Sequence, residues 1–254
     1  MRKFALIAFV VMLPAQVWGT NFWAQKILRN SEARAGWEYL GHAVQAGYEE
    51  MRSNNVRSVV YPTRRIADLY PPWILKTVVV IEHTGEEEYR PDASRAVMRV
   101  FKVFARDREH AFETDQSSVG AQAMAQFMPG SYALMQERYP DARLPEFWVC
   151  MRNHECQVRA MLCHFDAGRV PLSPRLRRRL ERRTPWFAQH IAAAYNAGGD
   201  QAARAVRSHP DSWFRYGYGL PHETRGYLWK FRRAQLPIYA LDSPASGVRH
   251  VTTR

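Results

Sequence analysis

The chain has 254 residues, with 36 Lys+Arg against 24 Asp+Glu and a formal charge of +12. Hydrophobic residues at 46% and charged residues at 24% exclude a mostly disordered or collagen-like chain, and the length is ample for a buried core in one large or two small domains. The charge favours an anionic partner without naming it: nucleic acid, anionic lipid and acidic cell-wall polymer all satisfy it.

Arg2 and Lys3 precede an apolar run from Phe4 to Leu13, and Val17-Trp18-Gly19 then offers a small residue at a cleavage point. This is the layout of a secretory signal peptide over residues 1–19. The run is short for a transmembrane helix, so membrane attachment is expected only if the segment stays uncleaved. Cleavage would remove two of the positive charges and leave a strongly basic chain in the periplasm or beyond, which argues against nucleic acid as the partner.

Residues 20–70 read as an N-terminal helical extension. Trp23, Ile27, Trp37, Leu40, Val44 and Tyr48 fall at helical spacings and predict one or two amphipathic helices, before Pro62, Pro71 and Pro72 punctuate the chain. The main domain is assigned to 71–240. In its first segment, Trp73 to Gly85, Ile74, Val78 and Glu82 are four apart and share a helix face, with Leu75 and Val79 beside them. An apolar stripe thus ends in a carboxylate. Water-poor surroundings disfavour the ionised form and should raise the Glu82 pKa, as a general acid requires. The structural alternative is a Glu at a helix end that turns into solvent.

Ser94 can cap a helix running to about Arg108, with Val97, Val100, Phe101 and Phe104 on one face. Residues 118–129 are small, then apolar, with Gln126 as a polar group among them; Pro129 and Gly130 mark a helix end or turn. Cys150, Cys156 and Cys163 lie near His154 and His164, but their spacing matches no common zinc module. One local disulfide plus one leftover thiol is the expectation, with the pairing open. Residues 171–183 form the densest basic block, either a solvated helix face or a contact for acidic polymer. Residues 191–199 read as an Ala-rich helix closed by a Gly cap, with Tyr195 and Asn196 in the last turn where they can reach a neighbouring cleft. Pro221 opens a further helical stretch containing Glu223 and Tyr227. The tail, 241–254, lacks an apolar pattern and is expected to fray.

In this order the segments resemble the lytic transglycosylases of the lysozyme-like superfamily. The family pattern is a catalytic Glu ending a helix, then Gly-Ala…Met-x-Gln-x-Met-Pro, Ala-Tyr-Asn-Ala-Gly and Glu-Thr-x-x-Tyr. Here these are Glu82, Gly120-Ala121…Met124-Ala-Gln126-Phe-Met128-Pro129, Ala194-Tyr195-Asn196-Ala197-Gly198 and Glu223-Thr-Arg-Gly-Tyr227. The resemblance covers roughly residues 70 to 235. It implies a mainly α, lysozyme-like fold of the goose-type or soluble-transglycosylase kind, with the N-terminal helices as an addition. Two departures stand out. His83 follows the acid where the commonest branch has a Ser that orients it, a job that would pass to another group such as Thr84. The interval from Glu82 to Gly120 and the Gln126–Tyr132 stretch are closer to the membrane-bound B-type branch, whereas Ala-Tyr-Asn-Ala-Gly favours the soluble one.

The implied chemistry needs one carboxylate and neither metal nor cofactor. Glu82 would protonate the oxygen between N-acetylmuramic acid and N-acetylglucosamine, then take a proton from the muramyl C6 hydroxyl as the 1,6-anhydro ring closes. By family analogy Tyr195 would hydrogen-bond the acid, and Gln126 and Asn196 would hold sugar amides and hydroxyls. Met124 is expected on the substrate side, and Tyr227 in the cleft wall. The partner would be the glycan strand of peptidoglycan, whether for wall turnover or for local opening by a secretion or conjugation machine. A muramidase would need a second carboxylate, for which Glu113, Asp115 or one of Glu86 to Glu88 is available. A non-catalytic wall-binding or assembly factor would need none.

Overall fold

A computed structural model describes residues 22–118 and 120–243. The expected signal segment therefore lies outside the described residues, as does the tail beyond Ser243. Among the described residues the chain is helical, with isolated bridges such as Gln122 to Phe127 and no strand. No helix among them is long and apolar enough to cross a membrane.

The N-terminal pattern resolves into two helices, α1 (22–29) and α2 (Ser31–Ser53). They break at Asn30, whose Oδ1 accepts from the Ala33 amide at 2.9 Å and caps α2. Next comes α3 (Pro72–Glu82), started by Pro72 at the first helical position, where its missing N–H costs nothing. Every residue from Trp73 to Ile81 is buried, so α3 is a central helix wrapped on all sides. Short α4 (Glu86–Tyr89) leads into α5 (Ala93–Asp107). The cap of α5 is Asp92 and not Ser94, because the Asp92 carboxylate accepts from both the amide and the hydroxyl of Ser94.

Pro129 opens a helix where a helix end or turn was anticipated: it is the first residue of α6 (Pro129–Arg138). The chain continues through α7 (Phe147–Met151) and α8 (His154–Ala167), joined by a Cys150–Cys156 disulfide that leaves Cys163 free and fully buried. The basic block forms α9 (Pro174–Glu181), followed by α10 (Thr184–Ala197), α11 (Gly199–Ser208), α12 (Trp213–Tyr216) and α13 (His222–Asp242). Gly198, at φ +84°, ends α10 and starts α11, a backbone conformation that suits glycine.

The N-terminal helices are not an appendage. α2 packs most extensively on α5 and also on α8, and one hydrophobic cluster runs from Ala24 to Leu241. Gly36 allows the α2–α5 contact to close, since a Cβ there would meet the Phe101 carbonyl oxygen at 1.7 Å. The last described residues are also held more firmly than their composition suggested. α13 extends to Asp242, and the Asp242 carboxylate accepts from buried Lys76 at 2.6 Å while that ammonium lies 3.9 Å from the Trp37 ring centroid. A second tie is fully buried Asp166, which accepts from Ser58 Oγ, the Val59 amide and the Tyr70 and Tyr139 hydroxyls, joining 58–70 to α8.

Candidate active site

Glu82 is the last residue of α3, and the apolar helix before it delivers the carboxylate half-buried at the junction with α13. Tyr227 Oη donates to Glu82 Oε1 at 2.6 Å. One turn on, Lys230 Nζ donates to the carbonyls of Ile81 at 2.6 Å and Thr84 at 2.7 Å. These are carbonyls that the end of α3 leaves without helical partners, so Lys230 acts as a cap as well as a nearby charge. Burial pushes the Glu82 carboxyl above its usual range; the Tyr227 hydroxyl and the charges of His83 and Lys230 oppose that rise, and Glu223 adds to it. Burial also lowers Lys230, against the pull of Glu82 and Glu86 to Glu88.

Tyr195 does not make the bond to the acid that family analogy assigns to it. Its hydroxyl donates to the Ala125 carbonyl at 2.5 Å, and Tyr227 occupies the place beside Glu82. Burial first, and the Glu82 charge second, hold the Tyr195 phenol well above its ordinary range. Thr84 is not the substitute orienting group either, because its hydroxyl engages the Val80 carbonyl and the Tyr89 hydroxyl. Met124 is fully buried and cannot face a substrate; what it contributes is its carbonyl oxygen, 2.9 Å from His83 Nε2.

His83 stacks on Phe112 with centroids 3.8 Å apart, and its Nδ1 lies 3.2 Å from Asp115. The loop it grips carries Phe112, Ala123 and Gln126 at φ +64°, +59° and +48°, a left-handed geometry that each holds at a cost of about 1–2 kcal/mol. Gln126 is half-buried, with Nε2 donating to the Ala123 carbonyl at 2.8 Å, which leaves Oε1 as an acceptor. Asn196 Oδ1 accepts from Thr224 Oγ1 at 2.7 Å, leaving its amide nitrogen as a donor. The four segments singled out in the sequence are thus linked by hydrogen bonds. Glu82 meets α13 through Tyr227, α13 meets α10 through Thr224 and Asn196, α10 meets the loop through Tyr195, and the loop meets Glu82's neighbour through His83.

Lys230 was not singled out in the sequence, although a signal was present. Glu223, Tyr227 and Lys230 are spaced four and three apart and share one helical face. Two cavities stand out among the described residues, and neither is lined by Glu82 itself. One, of about 410 Å³, lies between Glu86, Arg90, Arg225 and Trp229; the other, of about 490 Å³, lies along α5. Among the described residues no three His, Cys, Asp or Glu side chains converge as a metal-ligand set. The chain matches no known protein family, no curated protein and no solved structure.

Proposed function

We propose that the chain is an exported lytic transglycosylase with a lysozyme-like catalytic domain, cleaving peptidoglycan between N-acetylmuramic acid and N-acetylglucosamine. The observation that supports this reading most is the setting of Glu82: a carboxyl raised by burial, with Oε1 occupied by Tyr227, so that Oε2 is left to carry the acid proton. That proton would pass to the glycosidic oxygen as the bond to the muramyl C1 breaks, with the substrate's own N-acetyl oxygen stabilising the positive carbon. The Glu82 carboxylate would then accept the C6 hydroxyl proton while O6 closes on C1. The acid is regenerated and no water is consumed.

Most of the carboxylates that a hydrolase would recruit are engaged elsewhere. Asp115 faces His83, Glu113 pairs with His110 and Arg152, and Glu88 with Arg99. Glu86 has no ion pair among the described residues and lines the 410 Å³ cavity, so a muramidase using Glu86 is the reading to test against. Purified sacculi digested by the full chain should release anhydromuropeptides, identified by mass spectrometry, and Glu82→Gln should slow release by about 10²–10⁴-fold. Reducing-end products would make the protein a hydrolase, and sedimentation with sacculi without cleavage would make it a binding factor. Cleavage at full rate by Glu82→Gln would mean that the acid lies elsewhere.

A further inference from the structure

The outer face of α5 carries Arg95, Arg99, Lys102 and Arg106 at intervals of four, three and four, which places all four cations on one side of the helix. They border the 490 Å³ groove, a size suited to a small ligand, together with Ala96, Met98 and Val103. The acids facing this stripe are Glu88, paired with Arg99, and Glu32, which takes both Lys102 and Arg106. Arg95 has no acidic partner among the described residues, so the groove keeps excess positive charge and an unused guanidinium fork. The stripe is also tied to the acid site, because Arg99 donates to the backbone carbonyl of His83, the residue after Glu82.

We infer that this groove is a binding site for the carboxylates of the peptide stem on a glycan strand held at Glu82, with Arg95 and Lys102 as its principal contacts. The inference rests on the glycan-cleaving function proposed above and names the part of the substrate that the catalytic residues do not recognise. A stem is a short peptide with carboxylates and small aliphatic side chains, and the groove offers cations around apolar side chains. The stem is attached to the muramic acid, the sugar whose bond Glu82 would break, so it leaves the strand beside the acid. Guanidinium groups pair with carboxylates through two parallel N–H···O bonds, which selects the stem over the uncharged sugars.

The test uses the full chain carrying Glu82→Gln, titrated with soluble glycan strands that either bear their stems or have been stripped by an amidase. Stem-bearing strands should bind at least tenfold more tightly. Arg95→Glu with Lys102→Glu should erase that preference, and Arg175→Glu with Arg178→Glu, an equal charge change on α9, should keep it. Thermal melts of each variant establish that it is folded; should the double α5 variant not fold, exposed Arg95→Glu alone should still reduce the preference at least threefold. Equal binding of both strands, or a preference that survives these changes, overturns the inference and leaves the proposed function standing. Failure to bind either strand removes the proposed function as well. Phosphatidylglycerol vesicles captured through Arg95 and Lys102, with no preference between strands, would make the groove a membrane contact and also overturn it.

Discussion

Tyr227 and Lys230 both favour the ionised form of Glu82, one by a hydrogen bond at 2.6 Å and the other by its charge. A general acid works while protonated, so activity is lost as pH rises through its pKa. Tyr227→Phe removes a donor to the carboxylate and should move the basic limb of the pH–rate profile to higher pH. The lost bond, worth about 1.5–3 kcal/mol to a charged group, sets the scale of that shift. Lys230→Met should move the limb the same way and also destabilise the fold by about 1–3 kcal/mol, because the Ile81 and Thr84 carbonyls lose their partner. Rates measured across pH with intact sacculi check both, and a purely structural role would lower the rate without moving the limb. The placement of Glu82 at the end of an apolar helix was legible in the sequence, because a four-residue spacing ends there. Which tyrosine meets it was not: a motif fixes the residue types, whereas the crossing of α3 and α13 decides that Tyr227 reaches Oε1 and Tyr195 the Ala125 carbonyl. Met124 shows the same limit, since small and apolar neighbours look alike whether they line a cleft or fill a core.

Helices α2 and α5 are in close backbone contact at Gly36. Gly36→Ala would drive a methyl group into the backbone of α5, and the expected cost is about 3 kcal/mol, read as a lower midpoint in urea with an unchanged slope. Asp166→Asn should be at least as damaging. Four donors converge on that carboxylate, and an amide nitrogen turned toward any of them leaves a buried donor facing a donor. The helices at the N-terminus, before Glu82, after Ser94, before Gly198 and after Pro221 were readable in rough extent from periodicity and Gly198. Helices α6 to α8, α11 and α12 were not delineated. Helix ends were less readable: Ser94 and Asp92 are both good capping residues, and the choice depends on which side chain turns back to the helix. Pro129 is compatible with a stop or with the first turn of a new helix, and only the fold around it selects the second.

At the scale of the molecule, His190 is fully buried and His164 half-buried, and their enclosure lowers them to about 3 and about 4 from an ordinary 6.5. The unfolded chain therefore binds protons that the folded one refuses. Stability should be intact above about pH 6.5 and fall as pH drops below it, approaching about 1.4 kcal/mol per pH unit for each histidine. Urea midpoints at pH 7, 6 and 5 check this, and His190→Leu should flatten the slope. That the helices before residue 70 share a core with the rest was not visible in the sequence. Amphipathic spacing says that α2 has an apolar face, but not that the face is covered by α5 and α8 within one core.

The Lys76–Asp242 pair closes the molecule between positions that are made far apart in time. As the chain emerges from the ribosome, α3 appears with a lysine that has no acid to meet, and burying that ammonium alone would cost several kcal/mol. Helix α3 therefore gains its final ion pair only after the last turn of α13 has been synthesised. Tyr227 and Lys230 arrive on that same helix. An emerging chain thus carries Glu82 without the neighbours that tune it, and the acid is assembled only once synthesis has passed Asp242. If Glu82 is the proposed acid, this order of events would leave partly made chains without its finished setting.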